Sequence, residues 1–292
     1  MIAPLAKAQT SLRDSGRSEE LLFWLLLAPA LLMVAALLLA PLTWLALQSV
    51  WENGFTLENY RRLVVEPLYA RSFALTFRLS LEMSAVTLLL GYPVAYAAAH
   101  LSSRWRVLVL GLVVVPFWTS VLVRSYAWLV LLQRTGVVNK MLQALGLTNA
   151  PVMLVNNEIG VTIAMAHILL PFMVLPLFAA MEKIPEELIR AAASLGGGPL
   201  YTFRRVYLPL SMPGVIAGSV LVFVLSLGFY VTPELLGGGR TLLVSMLISR
   251  NIQLYDHWGA ASAISVALLA CVLAILALAR TLAPSAWSAE DR

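Results

Sequence analysis

Hydrophobic residues run in six long blocks, at roughly 21–48, 73–99, 107–130, 158–180, 208–231 and 259–281. A helix that crosses a bilayer needs about 20 mostly apolar residues, so each block predicts one spanning helix. The segment before the first block is polar and carries Lys7, Arg13 and Arg17. The apolar run beginning at Leu21 is too long for a signal-peptide core and lacks a convincing small-residue cleavage site. It predicts a retained span behind a cytoplasmic tail. The chain then divides into a tail at 1–20, a first span and outer loop at 21–71, five further spans at 72–282 and a second tail at 283–292.

An even number of spans puts both ends on one side, and basic residues favour the cytoplasmic side. With the termini inside, the cytoplasm holds Lys7, Arg13, Arg17, Arg104, Arg106, Lys183, Arg190, Arg204, Arg205, Arg280 and Arg292. The outer segments hold Arg61, Arg62, Arg71, Arg134, Lys140, Arg240 and Arg250, a smaller set, so inside termini are expected. Ser102 to Arg106 makes a very short inner link between the second and third spans. The outer segment from Gln133 to Asn157 contains Gly136 and a short amphipathic stretch, Val137 to Leu145. It could meet an extracytoplasmic protein or simply cap the bundle.

Composition agrees with this pattern. Of 292 residues 60% are hydrophobic and 12% charged, about half the charged share of a soluble domain. An all-α polytopic membrane protein in a lipid bilayer is expected. The net charge of +5 comes without a basic patch interleaved with aromatics, so no nucleic-acid partner is expected. Cys271 is the one cysteine and lies in a late apolar block, where packing is its default role. No cluster suggests a metal.

The polar insert between the fourth and fifth spans is longer than a helix–helix connection needs. Pro185 suits the first turn of a helix, and Glu182, Glu186 and Glu187 complement its dipole. Leu188, Ala191, Ala192 and Leu195 share a face. Gly196, Gly197, Gly198 and Pro199 then stop that helix and open a second. In the second, Leu200, Phe203 and Tyr207 fall on one side and Arg204 and Arg205 on another. Leu208-Pro209 turns the chain into the fifth span. A helix–glycine hinge–helix unit at 182–207 is expected, with an apolar ridge under the membrane.

The order Arg190-Ala191-Ala192, three residues, Gly196, nine residues, Val206, one residue, Leu208-Pro209 resembles the "EAA" signature of permease subunits of bacterial ABC importers. The family's leading Glu is Arg190 here, with Glu187 one turn earlier as a possible substitute. The runs Pro116 to Ser120, Val123 to Trp128, Leu170 to Pro176 and Phe229 to Gly238 resemble the spermidine/putrescine-type branch. This resemblance implies the six-helix type I importer permease fold with a cytoplasmic coupling helix. It also implies a polyamine-like cargo, a cytoplasmic ATPase dimer, a second permease subunit forming a heterodimer, and an extracytoplasmic binding protein. The chain has no Gly-x-x-x-x-Gly-Lys-Ser/Thr loop, so ATP is expected on the separate ATPase. The implied role for this chain is non-catalytic, with no cofactor of its own. The coupling set is Glu187, Arg190, Ala191, Ala192, Gly196, Gly197, Gly198, Phe203, Arg204, Leu208 and Pro209.

Ionisable residues inside spans are expensive and mark functional candidates. Glu234 comes just after Pro233 where the fifth span breaks, and precedes Gly237 to Gly239. A broken helix with a carboxylate suits a cationic ligand, although Glu234 could instead cap the next helix or pair with Arg240. Phe229, Tyr230, Trp118, Tyr126 and Trp128 could offer aromatic faces to an ammonium, and Asp256 is a weaker acidic member of the set. Arg78 and Glu82, four apart, suit a structural pair. Arg124 is expected to snorkel at the outer end of its span, His167 to be a satisfied packing residue, and Gly214 with Gly218 to make a close helix contact. Other small organic solutes (opines, amino-acid-derived amines, betaines) are the alternative cargo. A secondary transporter and a membrane anchor are the alternative functions.

Overall fold

The structure, a computed structural model, describes residues 3–51 and 54–282, with side chains from 23 to 51 and from 54 to 278. The second tail, 283–292, and the side chains of Lys7, Arg13, Arg17, Arg280 and Arg292 lie outside the described residues.

Among the described residues every element is helical. Helix α1 (Ala3–Val50) is followed by the short α2 (Glu58–Val65) and by α3 (Pro67–His100). α4 (Ser103–Val114), a 3-10 turn (Val115–Trp118) and α5 (Val121–Leu132) come next, then α6 (Val137–Ala144) and α7 (Glu158–Met181). α8 (Glu186–Ser194) and α9 (Pro199–Thr202) form the polar insert. A π-helical turn (Phe203–Tyr207) leads into α10 (Leu208–Leu227), and α11 (Val231–Leu236), α12 (Val244–Gln253) and α13 (Trp258–Leu282) complete the order. Five helices are long and apolar enough to cross a membrane, six counting one bent pair as a single span. The polar stretch at 1–20 is, from Ala3, the leading part of the helix that becomes the first span.

The third apolar block departs from a single straight helix. Its two parts, on either side of Thr119-Ser120, lie 102° apart. Pro116 sits in the 3-10 turn and Thr119 is extended. Ser120 then caps α5 by accepting from Leu122 N–H at 3.3 Å. α4 and α5 have 12 residues each, about 18 Å of rise apiece, too short to cross alone.

Leu208-Pro209 makes no turn either. Helix continues from Pro199 to Leu227, because Leu208 N–H bonds Phe203 O. That i→i−5 bond makes a π bulge. A proline in a regular helix clashes with the carbonyl four residues earlier, and the bulge gives Pro209 room upstream.

α3, α7 and α10 pack on one another as the core. Gly214 and Gly218 allow the approach: an added Cβ would lie 2.6 Å from Ala180 Cβ and 2.8 Å from Met173 Sδ respectively. Buried hydroxyls return to their own helix, as Thr87 Oγ1 does to Met83 O at 2.6 Å and Ser226 Oγ to Val222 O at 2.7 Å. α1 packs along α13, and none of its most apolar window is buried within the chain. α6 is a packed cap. Buried Asn139 donates to Gln133 O and Val152 O and accepts from Val152 N–H.

Candidate functional site

The ends of α3, α4, α7 and α10 next to the insert gather around it. α8 closes with a Schellman motif: Gly196 has φ +82, Gly196 N–H bonds Ala193 O and Gly197 N–H bonds Ala192 O, the 5→2 and 6→1 pattern. The three glycines therefore differ. Gly196 supplies the left-handed turn, and a Cβ on Gly197 would lie 2.7 Å from Ala192 O, whereas Gly198 faces open space. Gly198 is the N-cap of α9 and Pro199 its first residue. Leu195 is 90% exposed, Leu200 69% and Tyr201 59%, an apolar ridge uncovered by this chain.

Phe203 and Tyr207, one π turn apart, stack at 16°. Tyr96 meets Tyr207 edge-on at 5.0 Å, and His100 lies 5.5 Å from Tyr207. These rings join the insert to α3 around a cavity of about 550 Å³ whose rim carries Glu186 and Arg190. The Tyr207 hydroxyl is buried and has no partner among the described residues. Leu200 separates from these rings and lines a different groove with Tyr201, Arg204 and Arg205, because the bulge rotates the helix on one side of it relative to the other. Arg190 pairs with Glu186 at 2.6 Å on the exposed face of α8. Arg106 pairs with Glu182 at 2.7 Å, tying α4 to the end of α7.

Away from the insert, α11 lies against α5 and α7. Ser125 and Thr232 share a buried hydrogen bond of 2.8 Å, and Asn156 N–H bonds Leu236 O at 2.7 Å. Glu234 lies inside α11, so it does not cap the next helix, and it is exposed. Among the described residues it pairs with neither Arg240 nor any other cation. Trp118 is 84% exposed and Tyr126 51%. The other aromatics are committed to packing: Trp128 donates to His167 Nδ1 at 3.3 Å, Phe229 joins the main core, and Tyr230 packs by Leu79, Leu243 and Met246. Asp256 accepts from the Trp258 indole at 3.0 Å at the turn before α13.

Two expected side-chain arrangements are corrected. Arg78 pairs with Glu158 of α7 rather than Glu82, while Glu82 accepts from Thr162 at 3.2 Å; α7 beside α3 offers cross-helix partners in place of the neighbour one turn away. Arg124 does not snorkel, being 8% exposed, because the bend folds its helix against α7 and α11.

The family model described as binding-protein-dependent transport system inner membrane component matches residues 88–288. The chain belongs to this family. The spermidine/putrescine transport system permease protein PotB of Haemophilus influenzae is 41% identical over 213 residues, 73% of this chain and 74% of that protein. Its Escherichia coli K12 counterpart is 38% identical over 217 residues, 74% of this chain and 78% of that protein. Among solved structures, a bacterial ABC transporter importing alginate aligns over 94% of this chain and 99% of its own at TM-score 0.69 and 19% identity. A second crystal structure, of the alginate transporter in complex with its periplasmic protein, covers 92% of this chain and 96% of its own at TM-score 0.72 and 19% identity. These two speak for the fold. The permease is thus a multi-pass inner-membrane component that works with a binding protein and the other parts of an ABC transporter.

Sequence reasoning on the permease missed Tyr96 and His100, and it named Tyr207, Arg106 and Glu182 without their partners. Tyr96 and His100, four apart at the end of an apolar block, were the available signal, but their partners are more than 100 residues away.

Proposed function

We propose that this permease forms part of the translocation path of an ATP-driven importer for polyamines, the small flexible cations of the spermidine and putrescine kind. The relatives named for that cargo, at 41% and 38% identity, support the cargo class. The observation that carries it is the unpaired, exposed carboxylate of Glu234 at the break after α10. A cationic amine suits such a group, with Trp118 and Tyr126 available as aromatic faces. Phe229, Tyr230, Trp128 and Asp256 would act around it as supports.

On this reading the α8–α9 hinge docks on a separate cytoplasmic ATPase dimer, which binds the ATP. The ridge of Leu195, Leu200 and Tyr201 and the basic pair Arg204 and Arg205 would form the contact. Gly196 and Gly197 hold the hinge, and Ala191, Ala192, Leu208 and Pro209 fix its two arms. A second, different permease subunit completes the path, a binding protein delivers cargo from outside, and both termini face the cytoplasm.

The test is ATP-driven uptake by the reconstituted complete transporter with its binding protein. Glu234→Gln is expected to lower polyamine uptake by about 10- to 100-fold, the range of one lost charge-assisted contact. Unchanged uptake would remove Glu234 from the site. Competition by an opine or a betaine, with none by polyamines, would replace the cargo.

A further inference from the structure

Arg124 is a cation in the membrane-spanning part of the permease without a counter-charge among the described residues. It is 8% exposed, and its Nε is buried with no hydrogen-bond partner. Among the described residues no carboxylate pairs with its guanidinium. The described carboxylates away from the insert are engaged elsewhere or exposed: Glu58 pairs with Arg61 and Arg62, Glu82 accepts from Thr162, Glu158 holds Arg78, Asp256 accepts from Trp258, and Glu66 and Glu234 stand exposed. An isolated guanidinium at membrane depth is expensive, and such groups face a bundle interior or a water-filled cavity rather than lipid.

Its surroundings place it. Trp128 is one turn further along the same face of α5, and its indole donates to His167 of α7. Nδ1 accepts that bond, so the His167 ring is a neutral imidazole and supplies no counter-charge. The next residue, Ser125, is bonded to Thr232 of α11. Arg124 therefore stands where α5, α7 and α11 meet, just beyond the 102° bend. Broken helices of this kind line transport paths.

We propose that Arg124 is a fixed positive barrier in the path, which keeps small inorganic cations from leaking through the resting importer. A route built to pass organic cations is a hazard to the membrane potential unless something repels bare ions. A guanidinium in a poorly hydrated constriction does so, because Coulomb repulsion there is many times stronger than in bulk water. Cargo passes when α5 and α11 separate and the Ser125–Thr232 bond opens. The proposal rests on the importer reading and is independent of which cargo is carried.

The complete transporter, ATPase included, is reconstituted into vesicles with a potassium gradient and no nucleotide. The unaltered complex is expected to be tight. Arg124→Met keeps the length and removes the charge, and is expected to raise potassium leak by about tenfold or more. Arg124→Glu is expected to leak further, while Arg124→Lys stays tight. A tight Arg124→Met complex, or a leak that ignores the order of charge, overturns the proposal. If the Met and Glu variants do not assemble, the residual leak of the unaltered complex decides. Chloride exceeding potassium supports a positive barrier, and the reverse overturns it. Polyamine uptake in the same vesicles is read separately: its absence counts against the proposed cargo and leaves the leak result standing.

Discussion

At the scale of single residues, backbone geometry distinguishes positions that look alike in sequence. Gly196 occupies a left-handed conformation, so Gly196→Ala is expected to cost about 1–2 kcal/mol. Gly197→Ala pushes a Cβ to 2.7 Å from Ala192 O and must break the Schellman bond. Gly198→Ala enters open space at φ −68 and is expected to stay within about 0.5 kcal/mol. Thermal unfolding of the purified permease checks this order; equal effects at all three positions would refute the assigned motif. Tyr207→Phe removes a buried hydroxyl that has no partner among the described residues. It is expected to raise stability by about 1 kcal/mol, since an unsatisfied buried group costs more than it returns. The run of three glycines was legible as a hinge, but which two are needed depends on φ and on what each Cβ would meet.

At the scale of elements, close approach of α10 to α7 is the contact most sensitive to volume. At Gly214 an added Cβ meets Ala180 Cβ, Pro176 O at 2.8 Å and Leu177 Cα at 3.0 Å, and two of those atoms are backbone. Gly214→Val is expected to cost about 3 kcal/mol or more and to prevent recovery of a monodisperse permease. Gly111→Val in α4, where nothing lies within 4 Å, is expected to be recovered normally by size-exclusion chromatography. Arg190 stands where the resemblance expects Glu, and its salt bridge to Glu186 is exposed on both sides. Exposed i,i+4 pairs contribute a few tenths of a kcal/mol. Arg190→Glu should therefore shift stability by less than about 1 kcal/mol, and any larger change in stimulated ATPase activity would place residue 190 in the partner contact. The bent third span was hidden from hydropathy because apolar residues continue through Pro116; a window average records burial in lipid and not direction.

At the scale of the whole molecule, the apolar surface of α1 is left uncovered by this chain, as are Leu195, Leu200 and Tyr201 of the ridge. If both termini are cytoplasmic, a membrane-impermeant maleimide should label a terminal cysteine only after inverted vesicles are made, in a chain whose Cys271 has been replaced by alanine. Labelling from outside in intact cells would reverse the assigned orientation. The chain by itself determined the helical class, the spacing of the spans and the place of the glycine hinge, because apolar length and glycine–proline punctuation are local properties. Tertiary structure alone decided the pairing of Arg78 with Glu158, the seating of Tyr207 against Tyr96 and His100, the division of the glycines, and the isolation of Arg124. Each of these depends on which helices become neighbours, and residues far apart in sequence carry no local mark of that choice.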